Sequence, residues 1–125
     1  MRKSLLVPIA LLAASAIAVA APARSLANGH AQLSVVHLTA VKTGLAYNTK
    51  TATAKAGRVK IVFTNLSPLH HNVRLEQGEK EFGGTKTIAT GSTSVILTLK
   101  KGVYHFYCSV PGHEDAGMSG NLTVS

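Results

Sequence analysis

The sequence is poor in cysteine, and Cys108 is the only one among its 125 residues. A single thiol cannot form an internal disulfide, which excludes the disulfide-stapled class of small exported domains. A lone thiol in an oxidising compartment is a liability unless it is buried or bonded to another group. We therefore expect Cys108 to be buried or to bind something.

Long apolar runs are absent after residue 20, so no later segment is predicted to cross a membrane. At the start of the chain, a short basic segment precedes an uncharged stretch from Leu5 to Ala20 and then several small residues. This order is typical of a secretory signal peptide, residues 1–27, with cleavage near 23–27. The alternative is a retained membrane anchor, although Pro8 within the apolar run favours removal. No cysteine accompanies this segment, which argues against a lipid-anchored protein.

Clusters of basic residues are also missing. Residues 28–125 contain ten Lys and Arg residues against five acidic ones, a net charge of about +5. These residues are dispersed, so the charge pattern shows no nucleic-acid footprint. The positive charge has two interpretations that the sequence leaves open: a preference for acidic partner surfaces, or lysines that simply keep a small domain soluble. We expect one exported domain over residues 28–125, located in the periplasm or otherwise outside the cytoplasm, and membrane-associated if the anchor is retained.

Helical periodicity and internal repeats are absent beyond about residue 30, and apolar residues alternate with polar ones instead. Val59, Ile61 and Phe63 predict a half-buried strand, and the alternation in 103–108 places Cys108 on the same strand face as Phe106. Several short strands separated by turn signals predict an all-β, antiparallel sandwich or barrel. Residues 77–93 show no clear pattern, and we expect a long loop or a short helix there.

One segment places three possible metal ligands at five-residue intervals between the last two predicted strands: Cys108, His113 and Met118. A fourth candidate, His71, lies far upstream at the start of another predicted strand, and His70 competes with it by position. Two histidines and a thiolate with a weak, distant methionine make a type 1 copper site. Thiolate and thioether stabilise Cu(I), and imidazole serves both oxidation states. The set therefore predicts one copper ion.

The segments GVYHFYCSVPGH (102–113) and GMSGNLTV (117–124) resemble the cupredoxins, the type 1 blue copper proteins that include plastocyanin and azurin. The strand Gly57–Asn65 and the tripeptide His71–Val73 resemble the same family's first-ligand region. The resemblance implies a Greek-key β-sandwich. It also implies that His71 rather than His70 is the ligand, because Asn72 follows it. The Cys-to-His interval is longer than in plastocyanin and the His-to-Met interval longer than in azurin, so the subfamily stays open.

The resemblance also implies roles for the neighbours of the ligands. Asn72 is expected to donate to the thiolate and to tether the loop beside the cysteine through Ser109. His113 is expected at the exposed end of the molecule as the port for electrons. Tyr107 matches a position on a second surface patch in plastocyanin.

These features predict a monomeric carrier that shuttles single electrons between redox proteins, such as cytochromes or an oxidase or reductase. The alternative is a periplasmic protein for copper storage or delivery, but such sites favour many exposed Met or His ligands, and this chain has two methionines, one the initiator. An enzyme is not expected. Multicopper oxidases and nitrite reductases need further paired histidines, and a zinc site or a cysteine hydrolase would leave Met118 unexplained.

Overall fold

The computed structural model describes Ala20 and residues 32–125, and the segment from residue 34 onward folds into two β-sheets. The predicted signal peptide and its cleavage region lie outside the described residues, apart from Ala20. Within the described part of the chain, no helix is long and apolar enough to span a membrane. The strands, in chain order, are β1 (Ser34–Ala40), β2 (Thr51–Ala54), β3 (Gly57–Asn65), β4 (Arg74–Gln77), β5 (Lys80–Gly84), β6 (Gly91–Leu99), β7 (Gly102–Tyr107) and β8 (Ser119–Val124).

The two sheets have the orders β1-β3-β6 and β2-β8-β7-β4-β5, which confirms the all-β sandwich. The pairing is mixed rather than purely antiparallel, because β1 pairs with β3 and β2 pairs with β8 in parallel. The first parallel pair has a simple cause. After β1 the chain crosses to the other sheet to form β2, and it then returns to the first sheet in the original direction.

Alternating side chains from both sheets form the core, as the sequence pattern predicts. Val59, Ile61 and Phe63 in β3 are at most 1% exposed, and Leu122 and Val124 in β8 are equally buried. Burial of each such side chain contributes about 1.5–3 kcal/mol relative to leaving it in water. The core supports β7 and β4, neighbouring strands of one sheet, and these strands fix the positions of Cys108 and His71 at their ends.

The expectation of a long loop or short helix over 77–93 is wrong. The strands β4 and β5 form an antiparallel hairpin that turns at Gly78, where φ is +60°. The hairpin is hard to recognise because β5 is short, polar and at the edge of its sheet, so little of it alternates. Gly84 passes so close to the preceding strand that a Cβ there would lie 2.2 Å from the Val73 carbonyl oxygen.

Candidate metal centre

Nitrogen and sulfur atoms of His71, Cys108 and His113 come together beyond the end of β7. The two imidazole Nδ1 atoms are 3.0 Å apart. The Cys108 Sγ atom lies 3.5 Å from Nδ1 of His113 and 3.9 Å from Nδ1 of His71. His71 and Cys108 are fully buried, whereas His113 is partly exposed. The group therefore has one edge open to solvent.

Cys108 directly follows β7, in which alternate side chains face the core. Tyr104 and Phe106 are buried and His105 and Tyr107 are partly exposed, so Cys108 continues the buried row. Its backbone N–H donates to the carbonyl of Met118 at 3.1 Å. This bond closes the segment 108–118, called the site loop below, and it keeps the thiol at the inner side of the loop.

Short-range hydrogen bonds fix the site loop. The His113 N–H donates to Val110 O at 3.0 Å, and the Met118 N–H donates to His113 O at 3.0 Å. Gly112 and Gly117 adopt φ of +80° and +100°, a region that favours glycine because it lacks a Cβ. Met118 is fully buried next to β8. The loop therefore places a thiol, an imidazole and a thioether through its own backbone geometry.

His71 reaches the group from the segment that precedes β4, the strand paired with β7 in the same sheet. Its backbone forms an isolated bridge with Ile88, with bonds of 3.0 Å and 2.9 Å in the two directions. Burial lowers the pKa of the His71 imidazole, and the nearby His113 and His70 lower this pKa further. The imidazole is consequently neutral near pH 7, which leaves a nitrogen lone pair available for a metal.

The side chain of Asn72 joins the His71 segment to the site loop. Its Nδ2 donates to Ser109 Oγ at 2.8 Å and to Thr87 Oγ1 at 2.9 Å, and its Oδ1 accepts from the Ser109 N–H at 2.9 Å. The tether between Asn72 and Ser109 is thus present. Both amide hydrogens are donated to hydroxyl groups, so this amide does not supply the expected bond to the sulfur.

Two residues near the site had no signal in the sequence. Tyr47 is buried, and its hydroxyl donates to the Asn72 carbonyl oxygen. Burial raises the pKa of the Tyr47 phenol well above its usual range, and negative charge at Cys108 raises this pKa further. Lys50 donates from Nζ to the carbonyl of Gly117, the residue before Met118. Both contacts are made by irregular or short segments whose position depends on the whole fold.

The other candidates lie outside the buried group. His70 is exposed and does not join the three donors. Tyr107 is partly exposed on the outer side of β7, where its ring stacks on His105 at 5.8 Å between centroids. Partial burial, followed by the charges of Glu81 and Glu76, raises the pKa of Tyr107. Tyr107 therefore belongs to a surface separate from the buried donors.

The donor atoms fit copper. The group offers two imidazole nitrogens and a thiol sulfur within 4.8 Å of one another, and the site loop adds the buried Met118 thioether. Sulfur donors combined with imidazole suit copper, whereas thioether is a poor ligand for zinc. The fold and this donor set define the class of protein: a cupredoxin whose metal is copper.

A comparison with known protein families agrees with this assignment. Residues 34–125 match the model of the copper-binding proteins of the plastocyanin/azurin family, and the chain belongs to that family. This confirms the resemblance inferred from the sequence. A search of the curated proteins found no match.

Solved structures with the same fold include several cupredoxins. A reduced auracyanin from Roseiflexus castenholzii has a TM-score of 0.66 at 22% identity, covering 73% of this chain and 96% of its own. An azurin from Methylomonas sp. strain J has a TM-score of 0.64 at 20% identity, covering 73% and 97%. Rusticyanin from Thiobacillus ferrooxidans has a TM-score of 0.62 at 22% identity, covering 73% and 77%. At these identities the similarity establishes the fold.

Proposed function

We propose that this protein carries single electrons between redox proteins through one type 1 copper ion held by His71, Cys108, His113 and Met118. The observation that carries the proposal is the convergence of two imidazole Nδ1 atoms and a thiol sulfur in a buried group. When bound, copper supplies a one-electron couple between Cu(I) and Cu(II). Electron carriage needs a rigid site because any rearrangement of the ligands slows the transfer.

The residues around the group supply that rigidity. The site loop is closed by the bond from Cys108 N–H to Met118 O, and Asn72 joins it to the His71 segment. Contacts of this kind hold ligand orientation and tune a metal site. The group therefore keeps its arrangement without depending on the metal alone.

The exposed edge of the group favours His113 as the port for electrons. His113 is the partly exposed member, whereas His71 and Cys108 are fully buried. The segment leading to His71 also exposes two leucines, Leu66 and Leu69, at 51% and 50%. Exposed apolar side chains on the segment that leads to a ligand suit small, short-lived contacts between redox partners. Tyr107 offers a second surface on the outer side of β7.

We further propose that the carrier works outside the cytoplasm. The basic start, apolar stretch and small residues of 1–27 support export. Retention of that segment would attach the domain to a membrane. The net positive charge of residues 28–125 favours acidic surfaces on the donor or acceptor, and the protein is expected to act as a monomer.

The experiment is a visible and EPR spectrum of the copper(II)-loaded protein together with its reduction potential. An intense blue colour is expected, and Cys108→Ser should abolish it while circular dichroism shows the same sheet content. A colourless but tight Cu(II) complex in the wild type would contradict the site as drawn.

A second measurement distinguishes an electron carrier from a protein for copper storage or delivery. The blue protein is reduced and reoxidised repeatedly in the presence of a Cu(I) chelator. A carrier should retain its copper and its colour through these cycles. Loss of most of the copper to the chelator on the first reduction would favour delivery.

A further inference from the structure

A second cluster of potential ligands lies on the surface, apart from the buried group. It consists of the carboxylates of Glu76 and Glu114 and the imidazole of His105, with one donor atom of each within 4.8 Å of the others. His105 Nε2 lies 2.7 Å from Glu114 Oε1. Glu76 and His105 are partly exposed and Glu114 is exposed, so solutes can reach all three.

The β-sheet holds two of these side chains side by side. Glu76 in β4 is paired directly with His105 in β7, and the register of β4 against β5 shifts at Leu75 and Glu76. The His105 ring is stacked on Tyr107 with an angle of 13° between the planes. Cross-strand partners lie about 5 Å apart at Cβ, close enough for both side chains to bind one ion. Only Glu114, on the site loop, comes from outside the sheet.

The balance of charge around the cluster also favours a cation. Glu81 neighbours Glu76 across β4 and β5, but Arg74 forms a salt bridge with it. Within residues 32–125, neither Glu76 nor Glu114 forms a salt bridge to a lysine or arginine. Two carboxylates therefore share the single imidazole of His105. A divalent cation would relieve the repulsion between them.

We infer that Glu76, His105 and Glu114 form a surface site for a divalent transition-metal ion of the zinc type. One imidazole nitrogen and two carboxylate oxygens are ligands that Zn²⁺ accepts, and three protein ligands leave a position for water. The imidazole distinguishes the cluster from acidic groups that would bind calcium or magnesium through oxygen alone.

This site is distinct from the copper centre. His105 lies on the outer side of β7, whereas Cys108 continues the buried row of the same strand. The donor chemistry also differs, because the surface cluster contains no sulfur. Zinc bound there would bridge the site loop to the sheet through Glu114, and this property goes beyond electron carriage.

The test is calorimetric titration of the copper-loaded protein with Zn²⁺. Copper fills the buried centre, and an unchanged visible spectrum during the titration shows that zinc does not displace it. We expect one Zn²⁺ per chain, with a shift of the His105 Nε2 resonance in ¹⁵N NMR. His105→Ala and Glu76→Gln should each weaken binding by at least about tenfold.

A matched control is His37→Ala, which removes an exposed histidine from β1 and should leave zinc affinity unchanged. The blue spectrum of each variant reports whether the fold and copper centre are intact. Absence of saturable zinc binding would overturn the inference. Binding in His105→Ala as tight as in the wild type would overturn it as well.

Discussion

The site loop, residues 108–118, and the segment 66–73, called the His71 arm below, reach the metal centre in different ways. Backbone hydrogen bonds of the site loop connect residues within the loop itself, such as Val110 with His113 and Cys108 with Met118. At the metal end of the His71 arm, residues 71–73 are held by residues 12 to 37 positions away along the chain, including Thr85, which accepts from Val73 N–H, and Ser109. The first region is organised locally and the second by the assembled sandwich.

Because of this difference, substitutions should affect the site loop and the His71 arm in different ways. The site loop can keep its geometry as long as β7 and β8 remain paired. The arm depends on several elements at once: Asn65 in β3 donates to the carbonyls of Leu69 and Ile88, and Tyr47 donates to Asn72. Substitutions in the arm should therefore disturb both folding and the metal centre.

The largest effect is expected from substitutions of the adjacent histidines of the arm. His71→Ala removes a fully buried imidazole from the donor group and should abolish or greatly alter the blue colour. His70→Ala is the matched control, because His70 is exposed and outside the group, and it should keep the colour. Visible absorption and EPR of the copper(II)-loaded variants provide the measurement. If His70→Ala lost the colour and His71→Ala kept it, the copper ligand would be His70 rather than His71.

The same comparison explains how much the sequence could predict. Alternation in β3 and β7 identified the core because each strand buries one face, and the five-residue spacing placed three candidates in one loop. The residues alone could not separate His71 from His70. The choice of His71 depends on the resemblance to the cupredoxins, in which Asn follows the first ligand. Spacing cannot make this choice, because the residues that hold His71 and Asn72 are distant from them in the sequence.

Other contacts had no local signature. Thr87 and Tyr47 meet the arm only after both sheets have assembled, so spacing cannot reveal them. The β4–β5 hairpin was missed because a short, polar edge strand shows little alternation. The parallel pairing of β1 with β3 depends on a crossing between sheets, which a strand pattern does not encode.

A smaller effect is expected when the link between the two regions is cut. Asn72→Ala removes the bonds to Ser109 and Thr87 and leaves the Ser109 N–H without its acceptor. Three bonds at roughly 1 kcal/mol each predict a loss of about 2–3 kcal/mol in the free energy of unfolding. Urea titration of the copper-free protein measures this loss.

Ser109→Ala serves as the control for that variant. It removes one hydroxyl but retains the backbone bond to Asn72 Oδ1, so a loss of about 1 kcal/mol is expected. If Asn72→Ala cost no more than Ser109→Ala, the link would not be a main support of the arm.

The pH dependence of the free energy of unfolding tests how Tyr47 supports the His71 arm. Because burial raises the pKa of the folded phenol well above its usual value of 10.0, only the unfolded chain releases this proton near pH 10 to 11. The resulting contribution to stability is complete below pH 10. It is lost above that pH at up to about 1.4 kcal/mol per pH unit.

Tyr47→Phe cannot ionise and also lacks the bond to Asn72, so it should be less stable than the wild type by about 1 kcal/mol near pH 8. Its disadvantage should shrink as pH rises past 10. Urea unfolding of the two copper-free proteins between pH 8 and 11 measures the difference. A constant difference over this range would mean that the folded phenol ionises as readily as the unfolded one.

The smallest effect is expected at the site loop, where Lys50 donates to the Gly117 carbonyl beside Met118. A positive charge at this position favours the reduced copper ion, because reduction lowers the positive charge of the centre. Lys50→Met should therefore lower the reduction potential by roughly 10–40 mV, the equivalent of an exposed charge interaction of about 0.2–1 kcal/mol. Lys50→Arg keeps the charge and should leave the potential near that of the wild type. Equal shifts in both variants would assign the effect to the loop contact rather than to charge, and the loop would then depend on a distant residue as the His71 arm does.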